Sequence, residues 1–319
     1  MAETMTYAQA AARAVADAMR EDPAVWCVGE DLGRGGVFKQ YTGLPEEFGP
    51  DRISDAPISE AAIMGAAFGA ALVGTRPIVE MRFADFALCA TDELVNQIAK
   101  ARFMFGGQSR APMVIRKPMG MWRSSAAQHS QSLESWYVHI PGLVVCCPAT
   151  PQDNYSMMRA AIACDDPVVY LEHKDIWTLE GAVDLDENFA FGKARRRHAG
   201  DDVTIVSWSN TANLAAKAAQ TLAAGGIQAD VLDLRSLWPW DKQAVLDSVR
   251  RTGRLLIAHE SVQVGGFGAE VAAIVAEHAP CGIRRLGSPR SLISYAPNLE
   301  DQLRVTEDMI VQAATSLRS

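Results

Sequence analysis

Residues 57–81 read PISEAAIMGAAFGAALVGTRPIVEM, one predicted helix followed by one predicted strand. Pro57 imposes an extended entry, Ser59 is placed to cap the helix, and Glu60 falls in its first turn. The helix predicted over 60–73 carries many Gly and Ala residues, so another backbone can approach it closely. Because its other side chains are apolar, we expect the helix, and Glu60 with it, to be buried. The stretch at 77–81, apolar except for Glu80, predicts the next strand.

The same alternation extends in both directions from this stretch. Thr6 and Gln9 have capping-box spacing and open an Ala-rich helix that ends at Asp22-Pro23. Apolar runs predict further strands at 24–28, 112–116, 143–147 and 168–171, and helices are predicted at 91–102 and 153–163. Strands that alternate with helices predict a parallel sheet with helices on both faces.

A second, smaller alternating unit follows a boundary within residues 175–200. Strands are predicted at 203–207, 229–233 and 254–258, and helices at 212–224, 242–251 and 268–277. The sequence therefore predicts an α/β protein of two doubly wound domains, residues 1–185 and 186–319. We interpret the basic stretch at 193–198 as a solvated strand edge or linker. A phosphate patch is the alternative, but neighbouring acids dilute the charge.

Composition excludes several classes of protein. The net charge of −8 argues against a nucleic-acid partner, and no apolar run approaches the length of a membrane span. The N-terminus lacks the basic and apolar regions of a signal peptide, so a cytoplasmic location is expected. The six cysteines have no metal-site spacing, and we expect them to be reduced and buried. No metal ligands are expected from this chain.

Three residues are candidates for chemistry, and each has a plainer alternative. Glu60 could simply favour the helix dipole, whereas a carboxyl in a buried environment could also hold a proton near neutrality. His129 could be a surface residue, but its polar loop follows a predicted strand, and ligands bind at that edge of parallel sheets. Phe86 could be a core side chain or a flat surface for a heteroaromatic ring.

No phosphate-binding motif is visible in the sequence. The glycines at 33–36 match neither the dinucleotide fingerprint nor the phosphate-loop lysine pattern. The glycines at 265–268 lead into a helix whose N-terminus could bind an anion. A tight turn that feeds a closely packed helix is the favoured interpretation.

Taken together, the motifs resemble those of the beta subunits of thiamine-diphosphate-dependent 2-oxoacid dehydrogenases, a transketolase-like family that includes the pyruvate, branched-chain 2-oxoacid and acetoin enzymes. The resemblance runs from about residue 5 to the C-terminus. The motifs in family order are Gly29-Glu-Asp31, Gly36-Val-Phe38, Phe48-Gly-Pro-Asp-Arg52, Pro57-Ile-Ser-Glu60, Arg76-Pro77, Phe83-Ala-Asp-Phe86, Gln128-His-Ser-Gln131, Pro141-Gly-Leu143, Asp165-Asp-Pro-Val168, Asp233-Leu-Arg235, His259-Glu260 and Gly265-Gly-Phe-Gly-Ala-Glu270.

The resemblance implies a pyrimidine-binding domain followed by a transketolase-type C-terminal domain. It implies that Glu60 bonds N1′ of the cofactor's aminopyrimidine and stabilises the imino tautomer that activates the thiazolium. Phe86 would pack against the aminopyrimidine with Ile58 beside it. His129 would transfer protons to the intermediate or to the incoming lipoyl group. Glu30 would join a proton path between sites.

The family builds its Mg²⁺ and diphosphate site from Gly-Asp-Gly followed by Asn, and no Gly-Asp-Gly occurs in this chain. The resemblance therefore implies an alpha subunit that provides those ligands, in a two-alpha, two-beta heterotetramer that serves a lipoyl-bearing acyltransferase. A homodimeric transketolase-type enzyme and a non-catalytic partner subunit are the alternatives. The loop sequences look most like the acetoin and pyruvate branches, but Met119-Gly-Met-Trp122 is bulkier than usual, so the substrate stays open between pyruvate-like 2-oxoacids and acetoin.

Overall fold

A computed structural model describes residues 2–318 and divides the chain into two compact units. Unit 1 contains the chain up to Met119 together with Trp136–Cys146 and Thr150–Ala190. Unit 2 contains Gly120–Ser135, Cys147–Ala149 and the chain from Phe191 onward. The segment that carries His129 thus groups with unit 2. The sequence-based boundary between residues 185 and 186 stays a prediction.

Six strands of unit 1 form a parallel sheet in the order β3-β2-β4-β5-β7-β6, and β1 pairs antiparallel with β8 in a separate ribbon. The strands are β1 (Ala2–Thr6), β2 (Val25–Gly29), β3 (Ile53–Asp55), β4 (Arg76–Glu80), β5 (Val114–Met119), β6 (Val144–Cys146), β7 (Val168–His173) and β8 (Glu180–Asp184). The helices are α1 (Tyr7–Glu21), α2 (Leu44–Phe48), α3 (Glu60–Leu72), α4 (Ala101–Met104) and α6 (Pro151–Ala163). Helix α5 (Glu134–Val138) begins in the segment that groups with unit 2 and ends in unit 1. Every residue of β5 and β7 is buried, including the charged side chains of Arg116, Lys117 and Glu172.

Unit 2 is built on a five-stranded sheet in the order β14-β13-β10-β11-β9. The strands of this sheet are β9 (Arg195–His198), β10 (Val203–Ser207), β11 (Ala229–Asp233), β13 (Arg254–Val262) and β14 (Gly282–Ser288). The unit also contains β12 (Ser236–Trp238), which is not part of this sheet. Its helices are α7 (Ser209–Ala224), α8 (Lys242–Thr252), α9 (Gly268–His278), α10 (Pro297–Asp301) and α11 (Glu307–Ser316). Neighbouring strands from β14 to β11 run parallel, so the predicted α/β class is confirmed for both units.

Two local predictions are confirmed in detail. The Thr6 hydroxyl accepts the Gln9 N–H at 3.1 Å, and the Gln9 side chain accepts the Thr6 N–H at 2.9 Å, which is the predicted capping box. The basic stretch at 193–198 contains β9, an edge strand antiparallel to β11. Its Arg197 pairs with Asp233 at 3.3 Å, so these cations are matched by acids of the neighbouring strand.

Three local predictions are wrong or only partly met. The helix predicted over 91–102 is broken into a π-helical turn (Glu93–Ile98) and α4, because the Ala99 N–H bonds five residues back to Leu94. Helix α3 was expected to be wholly buried, but one side of it, with Gly65 and Gly69, is exposed. Within residues 2–318 the six cysteines form no disulfide bond, yet Cys89 is exposed rather than buried.

No helix in residues 2–318 has the length and apolar character needed to cross a membrane.

Candidate active site

Three neighbouring parallel strands of unit 1 end at the same edge of the sheet. Gly29, the last residue of β2, lies opposite Asp55 at the end of β3 and opposite Glu80 at the end of β4. The segments that follow these strands therefore start side by side. They contain all four candidate residues of unit 1, namely Glu30, Ile58, Glu60 and Phe86. The carboxyl edge of a parallel sheet is where such folds bind ligands.

Glu30 is buried and paired. Its carboxylate accepts a hydrogen bond from Arg82 Nη1 at 3.1 Å, and the same Arg82 nitrogen lies 3.5 Å from Asp31 Oδ2. Because Arg82 follows β4, this ion pair ties the segment after β2 to the segment after β4. The pair fixes the position of Glu30 at the edge of the sheet.

The segment between β3 and α3 presents Ile58 and Glu60. The Ala56 N–H donates to the carbonyl of Gly29 at 2.8 Å, which holds the segment against the end of β2. The Ile58 side chain is 75% exposed, a large apolar surface that residues 2–318 leave uncovered. Glu60 is the first residue of α3 and is half-buried, so the expectation of a fully buried carboxyl is wrong for the isolated chain.

Ser59 does not cap α3 as the sequence suggests. It occupies the cap position with φ −169° and ψ 76°, and its side chain accepts no hydrogen bond from the helix. Cap residues usually have a more extended ψ, which aims the side-chain oxygen at the first free N–H groups. The first turn of α3 is therefore open at Glu60, without a serine hydroxyl bonded across it.

Phe86 begins a short 3₁₀ turn (Phe86–Ala90) after β4 and is half-buried. Its ring meets Phe83 edge to face, with centroids 5.1 Å apart, and Phe83 in turn meets Phe38 at 5.6 Å. These contacts hold the ring of Phe86 by its neighbours and restrict its orientation. A ring held in this way can offer a flat surface to a heteroaromatic ligand.

His129 lies in unit 2, on a loop with strained backbone. Arg123, Ser124 and Ala126 have φ values of 46°, 57° and 62°, which side chains other than glycine adopt rarely. The loop is fastened at two points by Glu260, which accepts the Met121 N–H at 2.8 Å and the Ser132 hydroxyl at 3.1 Å. His129 lies between these points and is half-buried. The structure thus assigns the four other candidates to unit 1 and His129 to unit 2.

Comparison with known proteins decides the family. Residues 3–178 match the pyrimidine-binding domain of transketolase, and residues 192–310 match the transketolase C-terminal domain. The chain is 38% identical to 2-oxoisovalerate dehydrogenase subunit beta of Bacillus subtilis strain 168, with 98% of both chains covered. The chain belongs to the family of 2-oxoacid dehydrogenase beta subunits.

Other relatives in this family act on different substrates. The chain is 39% identical to the beta subunit of acetoin:2,6-dichlorophenolindophenol oxidoreductase from Cupriavidus necator, over 98% of this chain and 97% of the relative. It is also 39% identical to the pyruvate dehydrogenase E1 component subunit beta of Rickettsia bellii, over 94% and 95%. These full-length matches do not favour a homodimeric transketolase-type enzyme.

A solved structure supports the fold of this family member. A split-gene transketolase in an inactive beta4 tetramer superimposes with a TM-score of 0.84, covering 98% of each chain at 24% sequence identity. At that identity the likeness concerns the fold alone. It agrees with the transketolase-like architecture that the sequence motifs indicate.

This beta subunit also contains a buried polar network around the end of β4 that was not predicted from its sequence. Glu80, at the end of β4, accepts a hydrogen bond from the Tyr41 hydroxyl at 3.0 Å and lies 3.8 Å from Arg116. Arg116 donates to both carboxylate oxygens of Glu172. Burial raises the pKa of Glu80 to about 7, with Arg116 opposing the shift and Glu172 adding to it. The sequence signal for this network is the presence of Glu80 and Arg116 within two predicted strands that are otherwise mainly apolar.

Proposed function

We propose that this beta subunit supplies the pyrimidine-binding half of a thiamine diphosphate site. The observation that carries the proposal is the grouping of Glu30, Ile58, Glu60 and Phe86 in the segments that follow three adjacent strand ends. These segments offer an acid at a helix start, an aromatic ring and an exposed aliphatic side chain. Together they suit an aminopyrimidine ring, which needs a hydrogen-bonding partner and apolar faces.

The residues present fit one end of the cofactor and not the other. Glu60 stands at the open first turn of α3, where no cap hydroxyl competes for it, and Phe86 is oriented by Phe83. By contrast, the whole sequence lacks Gly-Asp-Gly, the motif with which the family holds Mg²⁺ and diphosphate. A split site follows, in which this chain holds the pyrimidine.

Thiamine diphosphate supplies, when bound, the nucleophilic carbon that attacks a substrate carbonyl. Glu60 holds a proton at N1′ of the pyrimidine and so controls the protonation of that ring. Phe86 and Ile58 orient the ring and exclude water from its faces. Glu30, fixed by Arg82, accepts and passes protons along the sheet edge. His129 delivers a proton during acyl transfer to the lipoyl group.

A half-site of this kind requires partner proteins. An alpha subunit provides the Mg²⁺ and diphosphate ligands, and two copies of each chain form the tetramer. The acyl group passes to the disulfide of a lipoyl-bearing acyltransferase. The substrates are pyruvate-like 2-oxoacids or acetoin, since relatives at nearly equal identity are named for each.

Exchange of the cofactor's C2 proton tests the assignment of Glu60. In the chain co-expressed with its alpha subunit, Glu60→Gln should slow the exchange by roughly 10²–10⁴-fold, because an amide cannot hold the proton at N1′. Glu46→Gln is the matched control, since Glu46 is an exposed acid in the first turn of α2 and should exchange at the wild-type rate. Wild-type exchange in Glu60→Gln would remove Glu60 from the site.

A further inference from the structure

Unit 2 contains a cavity of about 100 Å³ at the carboxyl ends of two neighbouring parallel strands. Its walls come from the end of β13, from Ser288 and the loop after β14, and from the loop that carries His129. Val262 of β13 lies opposite Ser288 of β14 in the parallel register. The cavity therefore occupies the edge at which parallel α/β sheets bind ligands.

One polar group of the cavity wall points to a ligand. Ser130 lines the cavity and is 1% exposed, and its hydroxyl has no hydrogen-bond partner within residues 2–318. A buried hydroxyl without a partner is costly, and native proteins rarely leave one. The Ser288 hydroxyl, by comparison, has two carbonyl acceptors within reach of its single O–H, that of Glu260 at 2.6 Å and that of Leu303 at 2.7 Å. The Ser130 hydroxyl is thus available to a bound molecule.

The remaining wall restricts the chemistry of that molecule. Most of the surface is apolar, with Met121, Leu133, Val262 and Ile293 among the lining residues. None of the lining residues is Lys, Arg or His, and the one ionisable side chain is the acid Glu260. A carboxylate or phosphate would meet no positive charge there and would lie near a negative one. The wall therefore favours a neutral ligand with apolar carbons and hydroxyl groups.

The volume of the cavity limits the number of atoms in the ligand. A dry cavity of roughly 150 Å³ accommodates benzene, so a cavity of this volume holds about four to six non-hydrogen atoms. We propose that the cavity binds a small neutral aliphatic alcohol or hydroxyketone, with a ligand oxygen hydrogen-bonded to the Ser130 hydroxyl. Neither Glu60 nor His129 lines the cavity, so the proposal does not rest on the proposed function.

The methyl group of Met121 can report ligand binding, because Met121 lines the cavity. In the full-length chain labelled with ¹³C at the methionine methyl groups, the Met121 resonance is identified by its loss in Met121→Leu. Titration with 2,3-butanediol should shift this resonance saturably, with a millimolar dissociation constant as expected for so small a ligand. Lactate is the matched anion, with the same number of non-hydrogen atoms, and should leave the resonance unshifted at the same concentrations.

Three variants test whether the ligand binds in the cavity or elsewhere on the surface. Ser130→Ala should weaken butanediol binding roughly fivefold through the loss of one hydrogen bond. Ser291→Trp, at an exposed lining position, should abolish binding by filling the mouth, whereas Asn298→Trp, exposed but outside the wall, should not. An unshifted Met121 resonance, equal binding of lactate, or unchanged binding in Ser291→Trp would each overturn the proposal.

Discussion

The imidazole of His259 stacks on the indole of Trp208, with ring centroids 5.0 Å apart and 15° between the planes. Glycines close the other sides of the imidazole, since a Cβ added at Gly266, Gly268 or Gly287 would lie within 2.8 Å of it. The ring is fully buried, and burial lowers its pKa to about 4. The glycine-rich segment before α9 thus packs on a neutral histidine, as the tight-turn interpretation predicts.

Acid should weaken unit 2 through His259. The folded-state pKa of about 4 lies below the usual value of 6.5, so protonation favours the unfolded chain. The contribution of the neutral His259 ring to the free energy of unfolding is fully present above about pH 6.5. It is lost as the pH falls toward 4, a loss of roughly 3 kcal/mol. Urea unfolding between about pH 7 and pH 5 should show less acid destabilisation in His259→Asn than in the wild type. The exposed His278→Asn is the control; an unchanged pH dependence in His259→Asn would contradict the assignment.

The close packing of Gly268 on His259 predicts opposite results for two glycine substitutions. Gly268→Ala should lower the free energy of unfolding by about 1–3 kcal/mol, because the new methyl group overlaps the imidazole. Gly69→Ala, within α3, meets nothing within 4 Å and should raise it by up to about 1 kcal/mol through helix propensity. Urea titration of the two isolated variants measures both changes. Equal effects would mean that the ring does not fill the space beside Gly268.

Glu80 should give unit 1 the opposite dependence on pH. Its folded-state pKa of about 7 lies above the usual value of 4.5, so the folded chain binds the proton more tightly. Its stabilising effect is complete below about pH 4.5 and is lost as the pH rises toward 7, by roughly 3 kcal/mol. Glu80→Gln, which can still accept the Tyr41 hydroxyl, should remove this loss in urea unfolding measured across that range. If the variant and the wild type lose stability in parallel as the pH rises, Glu80 is ionised throughout.

Local sequence pattern predicts much of this fold and little of its long-range polar contacts. Strands β10 and β11 match their predicted bounds because each is a short buried run that needs no distant information. The pairing of Glu80 with Arg116 depends on the register of β4 with β5, which neither strand encodes alone. The ribbon of β1 and β8 was missed because both strands are polar and lie outside the main sheet.

In the candidate site, too, the sequence predicts local features better than long-range contacts. The positions of Glu30 and Phe86 after predicted strands are readable from the sequence, because parallel strands end at one edge. Glu60 follows β3, a strand that the sequence does not predict. The anchor of the His129 loop cannot be predicted from the sequence. Glu260, which accepts the Met121 N–H, lies 139 residues after Met121 in the chain. Burial of Glu60 was overestimated for a related reason. The apolar character of α3 predicts a covered helix, but residues 2–318 leave one side of it exposed.

Alone, this chain should bind thiamine diphosphate weakly or not at all. The proposed half-site would hold the pyrimidine, and the sequence offers no Gly-Asp-Gly motif for Mg²⁺ and diphosphate. Calorimetric titration with the cofactor and Mg²⁺ should give no measurable heat of saturable binding. The same titration of the chain co-purified with its alpha subunit is the positive control. Tight binding by the isolated chain would rule out the split-site model.

His129 should act after decarboxylation, so its removal should affect one half-reaction more than the other. His129→Ala should assemble with the alpha subunit and bind cofactor, because surface substitutions usually cost under about 0.5 kcal/mol and His129 is only half-buried. Transfer of the acyl group to a lipoyl domain should fall by roughly 10²-fold or more, as expected for loss of a positioned acid. Turnover with an artificial electron acceptor should fall far less. The exposed His139→Ala is the matched control and should be normal in both assays. Near-normal rates for His129→Ala in both assays would make His129 a surface residue of the loop that Glu260 anchors.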